Sequence, residues 1–146
     1  MRGVARALAL ALALATSAAG VPSRDEASVH AFLARYFATW SARDMAGYAD
    51  CFDPSARISF VLPGGAIRAQ DLPEFLESQR LAHAHASAPM TEAPTSIEVG
   101  PIDRITHARV RWKLTRGSDV TTGVDLFVLV RAPGGWKIAS LVFFND

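Results

Sequence analysis

The chain has 146 residues, half of them hydrophobic, with 15 basic side chains against 14 acidic ones. That length suits one domain with a substantial core, and the near-neutral balance excludes the basic footprint of a nucleic-acid binder. A single cysteine, Cys51, excludes an intramolecular disulfide.

The first 20 residues read as a separate segment. Arg2 and Arg6 precede the Ala/Leu run Ala7–Ala15, which gives way to Thr16-Ser17-Ala18-Ala19. A basic start, an apolar stretch and a small-residue site make a secretory signal peptide over 1–20, cut near Ala19. The apolar run is short for a membrane span, so no stable insertion is expected after its removal. The domain at 21–146 is then periplasmic or secreted. Without Arg2 and Arg6 the balance is 13 basic to 14 acidic, a net charge of −1.

Val21–Asp25 is a polar lead-in. From Ser28, the residues Val29, Phe32, Leu33, Tyr36, Phe37 and Trp40 repeat at the spacing of one helical face, which predicts a long amphipathic helix ending near Ala42-Arg43. Asp44 is an N-cap for a short second helix carrying Met45, Tyr48 and Phe52, stopped by Asp53-Pro54. Cys51 falls in that apolar pattern and reads as a buried free thiol. Ala56–Leu62 predicts a strand, with a return through Ile67-Arg68 after Pro63-Gly64-Gly65. Asp71-Leu72-Pro73-Glu74 starts a third helix, with a capping Asp and Pro in the first turn, fading around His83-Ala84-His85. Ala88–Thr95, with Pro89 and Pro94, reads as irregular, and Ser96–Pro101 leads into the next strand.

Arg104–Arg116 alternates cleanly: Ala108, Val110, Trp112 and Leu114 share one face, and His107, Arg109, Arg111 and Lys113 the other. Gly117-Ser118 turns it into Gly123–Arg131, which Pro133-Gly134-Gly135 joins to Trp136–Phe144 in a long hairpin. Along its first arm Val124, Leu126, Val128 and Val130 face one way, and Asp125, Phe127 and Leu129 the other. With both faces apolar, both are expected to be covered. Asp125 is the exception, a carboxylate that must find a partner, keep its proton or face a cavity. Helices gathered on one face of an antiparallel sheet make an α+β domain.

The stripe running into Trp40-Ser41-Ala42-Arg43-Asp44, then Tyr48, Cys51-Phe52, Pro54-Ser55-Ala56 and the Gly135–Ser140 ending, resembles the nuclear transport factor 2-like (NTF2-like) superfamily. That group includes SnoaL-like proteins and ketosteroid isomerases. The resemblance implies a cone, in which a curved sheet wraps the first helix around a pocket, and a homodimer through the outer sheet face. It sets Tyr36 at an oxyanion-hole tyrosine and Asp125 at a protonated oxyanion-hole aspartate. The position of the isomerase's general base is occupied by Phe60, so that activity does not carry over.

The expected function is an exported SnoaL-like domain whose apolar pocket takes a small apolar molecule. It is either a proton-transfer enzyme (isomerase, cyclase or dehydratase type) using Asp125 and Tyr36, or a non-catalytic binding module or scaffold. A missing base could come from a histidine such as His85 or from water. Trp40, Phe60, Trp112, Phe127 and Phe143 are the expected apolar lining. His83 and His85 diverge at a helix end and lack a third ligand at suitable spacing, so neither a metal nor another cofactor is expected.

Overall fold

The computed structural model describes residues 21–146, so the secretory segment expected at 1–20 lies outside the described residues. Helix α1, Arg24–Ser41, starts four residues before Ser28, because Ser23 accepts the Glu26 N–H at 3.1 Å and caps it. Its buried face is the aromatic stripe Val29, Phe32, Leu33, Tyr36, Phe37 and Trp40. Arg43, at φ 61, turns the chain into α2, Met45–Ala49, which Asp44 caps through the Gly47 N–H at 2.9 Å.

Strand β1, Phe52–Val61, begins earlier than Ala56 and passes through Pro54. β2 pairs with β1 only from Arg57 onward, so Pro54 has no ladder bond to break on that side. β2, Ile67–Asp71, runs straight into α3, Leu72–His85, where Asp71 accepts the Glu74 N–H at 2.9 Å. The stretch read as irregular is largely strand: β3 spans Met90–Val99. Pro94 is tolerated because β3 is the edge of the sheet, and the register shifts between Pro94 and Ser96. β4 (Ile105–Arg116), β5 (Asp119–Ala132) and β6 (Gly135–Asn145) follow as long strands.

The six strands lie in the order β2-β1-β6-β5-β4-β3, antiparallel except for β1 beside β6. The helices cover one face of this curved sheet, giving the α+β cone. Inner-face side chains of β4 and β5, among them Val110, Trp112, Phe127 and Leu129, are buried with the α1 stripe in one core. On the outer face of β5 Val124 is buried, but Leu126 is 43% exposed and Val128 40%. Within a single chain the outer face of the central hairpin is therefore only partly covered. The polar residues of β4 account for part of this: Arg109 and His107 stand opposite Leu126 and Val128. Cys51 is fully buried, and burial pushes its thiol pKa up. Among the described residues no helix is long and apolar enough to cross a membrane.

Candidate active site

A cavity of about 270 Å³ opens between the helices and the inner sheet face. Its floor is made of the buried residues Tyr36, Tyr48, Phe75, Trp112, Asp125 and Leu141, while the exposed residues Ala82, Arg116, Thr121 and Asn145 mark its mouth. Trp40, Gln79, Met90, Glu92, Leu114 and Phe143 complete the wall.

Asp125 reaches this floor through the strand register. Val110, Asp125, Phe143 and Phe60 form one cross-strand row over β4, β5, β6 and β1. The next row toward the mouth places Trp112 beside Gly123. A Cβ at Gly123 would strike the Trp112 ring and the Phe144 carbonyl, so glycine is what lets the indole lie flat across β5. From there Trp112 Nε1 donates to Asp125 Oδ1 at 2.8 Å. The resemblance sets both Asp125 and Tyr36 at oxyanion-hole positions, yet no hydrogen bond joins them among the described residues. The hydrogen-bond partner of Asp125 is Trp112 instead, while Tyr36 accepts from the Tyr48 hydroxyl at 2.9 Å.

Burial dominates the electrostatics. Asp125, 4% exposed, is pushed up to about 7 by desolvation, with the Trp112 N–H pulling the other way. Tyr36 and Tyr48 are raised well above the ordinary tyrosine value, first by burial, so both hydroxyls stay neutral donors. Glu92 is a further member that sequence reasoning missed. It pairs with Leu114 across β3 and β4, which turns it inward, and its pKa is raised well above the carboxylate range by desolvation and then by Asp125. Ser41 fixes its backbone on both sides, accepting the Glu92 N–H at 2.8 Å and donating to the Glu92 carbonyl at 3.1 Å. The available signal was inward alternation through a proline-containing edge strand, which the two prolines concealed.

Of the residues expected at the site, Tyr36, Trp40, Trp112, Asp125 and Phe143 line the cavity. Two stand a layer behind it. Phe60 stacks on Phe143 with ring centroids 4.9 Å apart, and Phe127 packs edge-on to Tyr36 at 5.1 Å. Each is held out of the cavity by the aromatic ring it supports. His85 is exposed and outside the lining, so it supplies no base there. His83 is buried against Trp40, with ring centroids 4.3 Å apart. Among the described residues no three His, Cys, Asp or Glu side chains cluster as a metal site would require.

A long helix wrapped by a curved six-stranded sheet, with a carboxylate-bearing cavity between them, defines an NTF2-like protein. Within that class, the family model described as "Putative lumazine-binding" matches residues 24–144, and the chain belongs to this family. No curated protein matches the sequence. Among solved structures, a "putative dehydratase" of the NTF2-like family from Streptomyces avermitilis is 18% identical with a TM-score of 0.71, covering 86% of this chain and 99% of that one. An NTF2-like protein of unknown function from Pseudomonas putida is 12% identical with a TM-score of 0.72, covering 86% and 89%. A "putative aromatic ring hydroxylase" from Novosphingobium aromaticivorans is 16% identical with a TM-score of 0.69, covering 86% and 92%. At such identities the shared property is the fold.

Proposed function

We propose that the mature chain is an exported small-molecule enzyme of the proton-transfer type, in which Asp125 and Tyr36 act on a carbonyl or hydroxyl of an apolar ligand. The observation that carries this reading is Asp125, a buried carboxylate on the cavity floor with its pKa pushed up to about 7. A group that exchanges its proton near the working pH is suited to general acid–base chemistry. Tyr36, held neutral by burial, supplies a hydroxyl beside it. The aromatic wall of Trp40, Phe75, Trp112 and Phe143 favours a flat, apolar ligand.

The same wall favours a second reading, a binding module without turnover. The family description makes a pteridine such as lumazine a reasonable ligand for it. Native mass spectrometry of the mature protein against a panel of cyclic ketones, phenols and lumazine tests both readings. Turnover of a captured ketone that falls at least about 100-fold in Asp125→Asn, with capture retained, supports the enzyme. Capture of lumazine alone, unchanged chemically, favours the module.

Export and assembly belong to the same reading. The exported protein is expected to begin near Gly20, which intact mass reads directly. Leu126 and Val128 are expected to meet a second copy across the outer sheet face. Sedimentation should then give a dimer at micromolar concentration and a monomer for Leu126→Lys.

A further inference from the structure

We propose that Glu92 and Asp125 work as an acid–base couple across the cavity, Asp125 taking a proton from carbon and Glu92 giving one to oxygen. This rests on the proton-transfer reading above and supplies the partner that Phe60 cannot.

The geometry begins with the sheet. Glu92 pairs with Leu114, and Leu114 with Thr121, while Asp125 lies further along β5 beside Val110. β4 thus stands between the two carboxylate-bearing strands, which are about 10 Å apart at two strand spacings. Both side chains line the same cavity, and among the described residues no hydrogen bond joins them. The arrangement leaves the space between them for a ligand.

The two carboxyls differ in their partners. Asp125 accepts the Trp112 indole N–H, a bond that favours its charged form. Among the described residues no hydrogen-bond donor reaches the Glu92 carboxylate. Ionised Asp125 also raises Glu92, whereas Asp125 owes its own rise to burial. Two carboxyls in one desolvated cavity do not both ionise readily, so the pair divides its roles. With the Trp112 N–H bonded to Asp125 and no donor on Glu92 among the described residues, Asp125 loses its proton first and Glu92 keeps one. The other titratable groups on the lining are Tyr36 and Tyr48, which stay neutral, and Arg116 at the mouth, which pairs with Asp119 at 3.4 Å.

The resulting substrate class is a small, largely apolar compound with a C–H next to a carbonyl. The Asp125 carboxylate removes that proton, and the C–H electron pair becomes a carbon–carbon double bond as the carbonyl π pair moves onto oxygen. Glu92 protonates the oxygen. The products are an enol, a protonated Asp125 and an ionised Glu92, with atoms and charge conserved. Where the substrate also carries a carbon–carbon double bond beside that C–H, the enol is a dienol; Asp125 returns its proton to the far carbon as the enol O–H returns its own to Glu92, which gives an isomer and restores both carboxyls. This assigns Asp125 as base, the reverse of the neutral-acid role that the isomerase resemblance implies.

The test has two arms. Carboxyl-carbon NMR titration of the wild type, Glu92→Gln and Asp125→Asn needs no ligand. Asp125→Asn is expected to shift the Glu92 titration clearly downward, while Glu92→Gln leaves that of Asp125 nearly in place. The opposite asymmetry, or no shift in either variant, overturns the assignment. In the second arm, deuterium uptake at the α-carbons of 2-tetralone in D2O is followed by proton NMR. Wild type is expected to exceed buffer, and each variant to lose at least about 100-fold. Glu92→Gln exchanging at the wild-type rate overturns the acid role. Thermal unfolding confirms that each variant is folded, and Glu92→Asp, which keeps the carboxyl, is expected to recover part of the rate. A cavity that takes up no ketone counts against the proton-transfer reading, and the titration still decides which carboxyl holds the proton.

Discussion

Two aspartates show how differently one side chain behaves in two regions of this molecule. Asp50, at the end of α2, is exposed and bonded to Lys137 Nζ at 2.9 Å and Arg35 at 3.2 Å. Those partners hold its carboxyl below the usual range, the Lys137 hydrogen bond first. Asp125 is buried and accepts from one neutral donor, the Trp112 indole, and it rises to about 7. The corner at Asp50 keeps its charge cheaply because solvent carries most of it. The cavity at Asp125 makes charge costly, and a group that changes charge only near neutrality can trade protons with a ligand.

The comparison breaks most visibly at Trp112. Trp112→Ala removes a buried indole and its hydrogen bond to Asp125, and should cost about 3–5 kcal/mol in denaturant unfolding. Trp112→Phe keeps most of the packing and should move the Asp125 titration further above 7.

The pH dependence comes next. Asp125 is raised above its unfolded value of about 3.9, so its stabilisation is complete below that pH and is lost as pH rises toward 7. The full loss is on the order of 4 kcal/mol. Asp125→Asn, which keeps the shape without the charge, should flatten this slope in thermal unfolding between pH 4 and 8 and be no less stable than wild type at pH 8.

His83 should give a smaller effect of opposite sign. It is 6% exposed, neither ring nitrogen has a well-formed hydrogen bond among the described residues, and burial, then Arg43, lowers its pKa. Its stabilisation is present above an unfolded pKa of about 6.5 and is lost as pH falls below that. His83→Leu should remove this acid-side loss, read as a smaller drop in melting temperature from pH 7 to 5.

The Asp50 corner should move least. Lys137→Met leaves an exposed carboxylate in water and should change stability by no more than about 1 kcal/mol, less still at high salt.

The sequence made the α1 stripe, the Asp44 and Asp71 caps and the β4–β6 hairpins legible, because each is a local pattern written in consecutive residues. It also singled out Asp125, since a carboxylate in an apolar strand stands out. Glu92 was hidden because Pro89 and Pro94 look like breakers; only the sheet order reveals that β3 is an edge strand where proline is harmless. Trp112's bond to Asp125 was equally out of reach, for it depends on Gly123 lying opposite the indole in register. Phe60 and Phe127 point inward as expected, yet depth behind another ring is not a property of alternation.

Strand order also sets a timetable for the chain. β6 lies in the middle of the sheet, and β1 finds its parallel neighbour only there, as Lys137 finds Asp50 across 87 positions. Until β6 is in place, the β1–β2 hairpin has no neighbour to join, and β3–β5 remain a partial sheet with an open edge. Closing so long a loop slows folding, and the domain is completed only when its final strand arrives. A mature chain truncated before Gly135 should therefore be protease-sensitive throughout, and the chain that carries β6 should be resistant.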